Sequence, residues 1–181
     1  MSVNARKLSW VLALLLVPAI VLSAVVLGHH QPDPVRSKVS DSGAFVVGSL
    51  PDSAGRDAVK AAVDAIPSAL SYDYRKLGAG LTSATSKMTP TFAKQFRTAF
   101  ATSAQKKATD QQAVTTALVR GAGLVQMDGP DKARCLLYVD QVLVSSNDKK
   151  ASDPVRVNQN RVRVDLKKVD GTWKVDGLEP F

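Results

Sequence analysis

The apolar side chains of this sequence follow a helical period first and a strand period from about residue 111 onward. Between residues 53 and 77 they recur at three- and four-residue steps, at Val59, Val63, Ile66, Leu70, Tyr74 and Leu77. This spacing predicts one apolar stripe along a helix. Pro67 lies within the stripe, and because proline removes a helical hydrogen bond, a kink or two abutting helices are expected there.

A second helix is predicted to begin at Thr89. The threonine hydroxyl can cap a helix, and the proline that follows it has its backbone angle preset for the first helical position. Phe92, Phe96 and Phe100 come next at four-residue spacing and predict a second apolar stripe. The stretch over residues 77–86, which contains glycine, serine and threonine, is expected to loosen the chain between the two helices.

From Gln111 onward the apolar positions alternate and β-branched residues accumulate, which is the pattern of strands. The predicted strands cover residues 112–127, 132–146, 154–169 and 172–178, with turn-rich connections between them. Helices followed by a meander of antiparallel strands predict an α+β domain, which we place over residues 52–181.

Two irregularities predict that the sheet is strongly curved. Residues 121–123 (Gly-Ala-Gly) lie in the middle of the first strand, where glycine marks a bulge or a sharp bend. In the third strand the apolar positions are odd-numbered at Val155 and Val157 but even-numbered from Val162 onward. A regular strand would turn one of these sets outward, so an extra residue is expected across residues 158–160.

The last two predicted strands form a hairpin around residues 170–171 (Asp-Gly), a strong signal for a two-residue turn. The resulting register places Trp173 on the apolar face, where the stem of Lys168 can cover its edge. It also sets Asp165 opposite Asp176, a mildly unfavourable pair that belongs on a solvated face. Trp173 is therefore predicted to plug the inner side of the sheet.

The N-terminal part of the chain predicts a membrane anchor. Residues 8–28 contain no charged side chain, and at the helical rise they span roughly 31 Å, about the thickness of the hydrocarbon core of a bilayer. Arg6 and Lys7 precede this run and favour a cytoplasmic location for residues 1–7. A cleaved signal peptide is the alternative, and in both cases the remainder of the chain is expected to be extracytoplasmic.

Residues 29–51 are rich in proline, serine and charge and are predicted to form a linker. Within it, the short apolar stretch over residues 44–51 either pairs as a strand or runs along the domain surface. No nucleic-acid partner is expected outside the cytoplasm. All 16 acidic residues but only 22 of the 24 basic ones follow the predicted span, and the resulting mild positive charge suits an anionic membrane surface.

The positive charge of the domain is concentrated between residues 156 and 174. The candidate contacts for phospholipid head groups are Arg161, Arg163, Lys167 and Lys174. The alternative interpretation of such a run is a face that serves only solubility.

The residue types present argue against an enzyme. His29 and His30 are the only histidines, and they lie outside the domain, so a serine or cysteine nucleophile would lack a histidine base. A metal site there would need a third ligand, and the linker supplies only Asp33, so no metal or cofactor is predicted. Cys135, the only cysteine, lies in an apolar run and is predicted to be buried and inert.

One pair of residues leaves a catalytic or binding role open. Tyr138 and Asp140 share a face of the second strand, where a curved sheet can bring them into a cavity as a hydroxyl donor and a carboxylate base. The alternative is a core tyrosine with a solvated or ion-paired aspartate. The candidate pocket or core residues are Trp173, Tyr138, Phe96 and Phe100.

Several sequence motifs occur in an order that resembles a known family. The helix "AVKAAVDAIPSALSYDYRKL" is followed by "LTSATSKMTPTFAKQF", "RGAGLVQMD", "LLYVDQVLVSSND" and the closing "RVRVDLKKVDGTWKVDGLEP". Together with the basic N-terminus and the apolar span, they resemble the Mce-associated membrane proteins of mycobacteria and their actinobacterial relatives, over about residues 5–181. The resemblance implies a cone-shaped, nuclear-transport-factor-2-like domain in which helices pack on a curved sheet.

The same resemblance implies a function without catalysis. The expected role is that of an accessory subunit, anchored in the cell membrane, that stabilises an Mce-type lipid-import complex. Its partners would be the Mce transporter subunits and permease and membrane lipid, and self-association is compatible with this role. Two alternatives remain open, namely a lipid-binding protein that uses the cone as a pocket and a scaffold similar to the inner-membrane subunits of type IV secretion.

Overall fold

The helices of the domain form a layer over one side of an antiparallel sheet. The computed structural model describes residues 38–49, 54–146 and 155–181. The helices in these ranges are α1 (Ala54–Leu70), α2 (Leu77–Ser86), α3 (Pro90–Ala99) and α4 (Gln105–Asp110). A π-helical turn, Phe100–Ala104, joins α3 to α4.

The sheet confirms the predicted α+β class and the predicted meander. Two short strands, β1 (Lys38–Val39) and β2 (Phe45–Val46), pair separately near the start of the described chain. The main sheet has the order β3-β4-β5-β6-β7, with all neighbours antiparallel. Its strands are β3 (Tyr72–Asp73), β4 (Ala113–Asp128), β5 (Lys132–Ser145), β6 (Val155–Val169) and β7 (Thr172–Pro180).

The core lies between α1 and the inner face of the sheet. Odd-numbered residues of β5 and even-numbered residues of β6 alternate into it, as the period of two requires. Ile66 of α1 is fully buried against this face. The large side chains that are less than 2% exposed are Ile66, Leu137, Val59, Val139, Val162, Val164 and Val175.

The predicted first helix ends earlier than its apolar stripe. Pro67 lies in the last turn of α1 and does not divide the helix, because it removes only one helical hydrogen bond and only three residues follow it. Beyond Leu70 the chain pairs with β4 through Tyr72 and Asp73. The expected continuation of the stripe to Leu77 is therefore wrong, since pairing with the sheet replaces the helix.

The stretch over residues 77–86 is a helix, α2, and not the loosened segment that was expected. Ala84 is 2% exposed and Thr85 is 5% exposed, so the helix buries small residues against its neighbours. This burial overrides the low helix propensity of glycine. The predicted start of α3 is confirmed, because Thr89 is extended and its side chain accepts a hydrogen bond from the backbone N–H of Phe92.

Irregularities in strand pairing bend the sheet, as the glycines of β4 predicted. The pairing of β4 with β5 shifts between Val119 and Gly121 and again between Leu124 and Gln126. The extra residue expected across residues 158–160 is wrong, because β5 and β6 pair without a shift along their whole contact. The change in the apolar positions therefore turns side chains to the outer face.

The terminal hairpin has the predicted two-residue turn. Asp170 and Gly171 both have positive φ angles, 48° and 77°, as a type I′ turn requires. The expected opposition of Asp165 and Asp176 is wrong, since the register shifts there and Asp165 pairs with Gly177. The bulge removes a like-charged cross-strand pair.

The predicted linker is partly folded onto the domain. The strands β1 and β2 form a small hairpin, and Phe45 is only 6% exposed because it joins the core. The described residues, from Lys38 onward, all belong to one compact unit. The predicted membrane span at residues 8–28 lies outside the described residues, and no helix within them is long and apolar enough to cross a bilayer.

Candidate functional site

The inner candidates contribute to packing. Trp173 is half-buried and packs against the core, and Lys168 Nζ lies 5.1 Å from its ring centroid, which places the lysine stem over the tryptophan. Phe96 and Phe100 line a cavity of only about 10 Å³, which is barely enough for one water molecule. This cavity is far smaller than the 300 Å³ or so of a small-ligand site, so it gives no support to a lipid pocket at these residues.

Tyr138 and Asp140 do share one face of β5, but it is the outer face. Tyr138 is 52% exposed, so the alternative prediction that it belongs to the core is wrong. Asp140 Oδ2 lies 2.9 Å from Arg120 Nε, and a second guanidinium nitrogen of Arg120 donates to the Gly43 carbonyl at 2.9 Å. The ion pair holds the carboxylate, so Asp140 is not arranged as a general base. A groove of about 420 Å³ runs past these side chains and is also lined by Gln159, Asn160 and Arg161.

A second groove, of about 360 Å³, adjoins the first at Tyr138. Its floor is Leu136 of β5, and its wall on β4 includes Gly121, Gly123 and Val125. A Cβ atom at Gly123 would meet no heavy atom within 4 Å, so the missing side chain leaves open space. The glycine pattern that bends β4 therefore also opens an apolar groove on the outer face.

The predicted head-group contacts are mostly engaged with the protein. Arg163 forms an ion pair with Glu179, and Arg161 lies over the aromatic ring of the last residue at 5.9 Å. Lys174 Nζ donates at 2.8 Å to a backbone carbonyl at the end of α2. Lys167 is exposed on the outer face. The four residues do not form one set of cations directed together at a membrane.

Sequence reasoning missed four exposed valines on the outer face. Val142 and Val144 of β5 pair with Val157 and Val155 of β6, and all four are 37–62% exposed. On the inner face at this end of the sheet, polar side chains take the place of apolar ones. Asn160 donates to Gln141 at 2.7 Å, and Ser145 donates to a backbone carbonyl at 2.8 Å. The sequence signal for these valines was the change in β6 from odd-numbered to even-numbered apolar positions.

The thiol of Cys135 is buried, as predicted. Cys135 is fully buried, and burial together with the nearby Asp165 carboxylate raises the pKa of its thiol to about 12. His29 and His30 lie outside the described residues. Within residues 38–49, 54–146 and 155–181, no group of three or more His, Cys, Asp or Glu side chains is placed to hold a metal ion.

Comparison with known proteins identifies similar folds. Neither a protein-family model nor a curated protein matches the chain. Among solved structures, it is similar to the periplasmic domain of DotI, with 14% identity, a TM-score of 0.59 and coverage of 74% of this chain and 99% of that one. It is also similar to an IcmL-like type IV secretion system protein from Legionella pneumophila, with 14% identity, a TM-score of 0.55 and coverage of 72% of this chain and 93% of that one. Its similarity to the VirB8 protein of Agrobacterium tumefaciens has 12% identity, a TM-score of 0.54 and coverage of 73% of this chain and 95% of that one.

These similarities define the class of fold. The curved antiparallel sheet with helices on its inner side is the architecture of the DotI and VirB8 domains, and the alignments span nearly all of each of them. Identities of this size show the fold alone.

Proposed function

We propose that the chain is a non-enzymatic scaffold subunit of a protein assembly in the cell envelope, anchored by residues 8–28, with its curved-sheet domain outside the cytoplasm. The fold carries this proposal, since the similar DotI domain is periplasmic and the IcmL-like neighbour is a type IV secretion system protein. The uncharged run at residues 8–28 supplies the anchor, and the outward-facing valines supply a surface for protein contacts.

The chemistry of the described residues supports a role without catalysis. The Asp140 carboxylate is paired with Arg120, and the Cys135 thiol is buried with a pKa of about 12. The cavity beside Phe96 and Phe100 has no room for a substrate. The groove at Tyr138 is open to solvent on one side, which suits a protein contact better than a water-excluding reaction site.

A second candidate assembly is the Mce-type lipid-import complex. The sequence motifs over about residues 5–181 support it, through their resemblance to Mce-associated membrane proteins. The scaffold role is the same in both cases, and only the partners differ, being secretion subunits in one case and Mce transporter subunits and permease in the other.

Purification of the full chain from its native host in a mild detergent tests the proposal. Mass spectrometry of the co-purifying proteins should recover membrane-associated subunits of one assembly, and deletion of the gene should lower the abundance of those subunits. Recovery of secretion subunits favours the first assembly, and recovery of Mce subunits with a defect in lipid uptake favours the second. A protein that purifies alone, and whose deletion changes no partner, contradicts the scaffold role.

A further inference from the structure

The outer face of the sheet carries an apolar stripe, interrupted by the polar pair Asp140 and Gln159, that no described residue covers. It starts at the four exposed valines and continues past Tyr138 to Leu136. From Val144 to Leu136 the stripe is roughly 27 Å long at the rise of a strand, and it is about 10 Å wide across three strands. An antiparallel sheet that is solvated on one face normally has polar side chains there, so a stripe of this kind indicates a covered surface.

The dimensions of the stripe match one helix. An α-helix with its side chains is about 10–12 Å wide, and about 18 helical residues span 27 Å. The footprint is roughly 270 Å², well below the ~800 Å² per partner that a stable domain–domain interface buries. The groove where Gly121 and Gly123 leave space beside Tyr138 gives such a helix a recess for a large apolar side chain.

The charges around the stripe determine the kind of helix. Arg161 stands at its edge over an aromatic ring, and among the described residues it has no carboxylate within ion-pair distance. Among the described residues, the strand register places seven basic and four acidic side chains on this face. They are Arg120, Arg134, Arg161, Arg163, Lys132, Lys167 and Lys174, against Asp128, Asp140, Asp165 and Glu179. A second copy placed face to face would bring like charges together, whereas an acidic helix would complement them.

We propose that the outer face of the sheet binds an amphipathic helix of a partner protein, which places an apolar stripe on Val142, Val157 and Tyr138 and acidic side chains beside Arg161. This inference rests on the proposed scaffold function and specifies where a partner binds. A membrane surface is the competing occupant, and a crosslink to lipid would identify it.

Site-specific photo-crosslinking in the native host tests this surface. The photoreactive residue p-benzoylphenylalanine is placed in the full chain at Val142, at Val157, or at the control position Val39. Val39 is 57% exposed in β1 and therefore as accessible as Val157, which is 62% exposed. We expect both outer-face positions to give the same adduct, whose crosslinked peptide is a helix-forming segment with an apolar stripe and acidic flanks, and the control to give none of it.

Other adducts overturn the proposal. A crosslink to a second copy of this chain identifies a homo-oligomer interface, and a crosslink to lipid identifies a membrane contact. A partner segment that is basic or not helix-forming, or the absence of any adduct at both outer-face positions, also contradicts it.

Substitutions give an independent measurement. The double variant V142S/V157S should fold with an unchanged circular dichroism spectrum. The amount of partner that co-purifies with it should fall about tenfold, whereas V39S should recover as much partner as the wild-type chain. Arg161→Glu should weaken recovery of the partner and Arg161→Lys should preserve it. If the wild-type chain recovers partners and the double variant recovers them equally, the surface is wrong while the scaffold function stands; if the wild-type chain recovers no partner, both fail.

Discussion

The hydroxyl of Thr89 donates a 2.6 Å hydrogen bond to Asp176 Oδ1 while it accepts a 3.3 Å hydrogen bond from the backbone N–H of Phe92. One side chain thus caps helix α3 and joins it to the bulged residue of β7. Two backbone bonds reinforce the junction, from the N–H of Thr89 to the carbonyl of Val175 and from the N–H of Val175 to the carbonyl of Lys87. The bulge that separates Asp176 from Asp165 is also what directs Asp176 to the helix.

Replacement of Thr89 should therefore destabilise the domain through the loss of both bonds. We expect Thr89→Val to lower the free energy of unfolding by about 1–2 kcal/mol, since it removes the cap and leaves the Asp176 carboxylate without this donor. Urea denaturation followed by circular dichroism measures the change. Thr89→Ser keeps the hydroxyl and should remain close to wild type, and equal losses for the two variants would show that the hydroxyl is not responsible.

Gly43 should resist substitution because of Arg120. Its φ angle is +77°, and a Cβ atom there would lie 1.8 Å from Arg120 Nη1. Gly43→Ala should lower the free energy of unfolding by about 1–2 kcal/mol and displace the guanidinium from Asp140. Thermal unfolding and side-chain NMR shifts of Arg120 report the two effects. Gly129→Ala is the matched control, because its φ angle is +68° and its Cβ would meet nothing within 4 Å, and a similar loss there would contradict the steric explanation.

Cys135 should be unreactive in the folded protein. Burial and the Asp165 carboxylate raise the pKa of its thiol to about 12, so very little thiolate forms at pH 8. With Ellman's reagent at pH 8, the native protein should show almost no reaction, and one equivalent should appear in 6 M guanidinium chloride. The variant Thr172→Cys adds a thiol at an exposed position of β7 and should react at once with one equivalent. Rapid reaction of the wild-type protein would show that the core opens readily.

Asp73 should make stability depend on pH in the acid range. Side-chain hydrogen bonds from Arg75, at 2.9 and 2.7 Å, and a backbone N–H from the same residue lower the pKa of Asp73 to about 2. Because the folded-state pKa lies below the unfolded value of 3.8, the contribution is complete above about pH 4 and is lost as the pH falls towards 2. A carbon-detected NMR titration of the carboxyl group measures this pKa.

The matched variant for this titration is Arg75→Gln. It should return the pKa of Asp73 towards its ordinary value and remove the corresponding part of the acid dependence of the melting temperature. An unchanged Asp73 pKa in this variant would contradict the assignment of the shift to Arg75.

The sequence predictions were most accurate where the structure depends on interactions between residues close together in the chain. The turn at Asp170 and Gly171 and the alternation in β5 are set by neighbouring residues, and the predicted strand bounds differ from the structure by at most two positions. The glycines at residues 121–123 likewise indicated a bend in β4 from local geometry alone.

Predictions that depended on distant partners were less accurate. Leu70 ends α1 because Tyr72 and Asp73 pair with a strand some 40 residues later in the chain. Residues 77–86 form a helix because Ala84 and Thr85 pack against other elements, which outweighs the presence of glycine. For the candidate site, the sequence placed Tyr138 and Asp140 on one face, but only the register with β6 shows that this face is the outer one.

By itself, the sequence determined the α+β class, the four long strands, the cap at Thr89 and the inward position of Trp173, since each follows from periodicity or turn chemistry within a short segment. The tertiary structure alone decided where α1 stops, that Asp176 binds Thr89, and that Val155 and Val157 face outward with Tyr138. These depend on strand register and on packing between elements far apart in the chain, and a local pattern does not encode which of two faces its partner will cover.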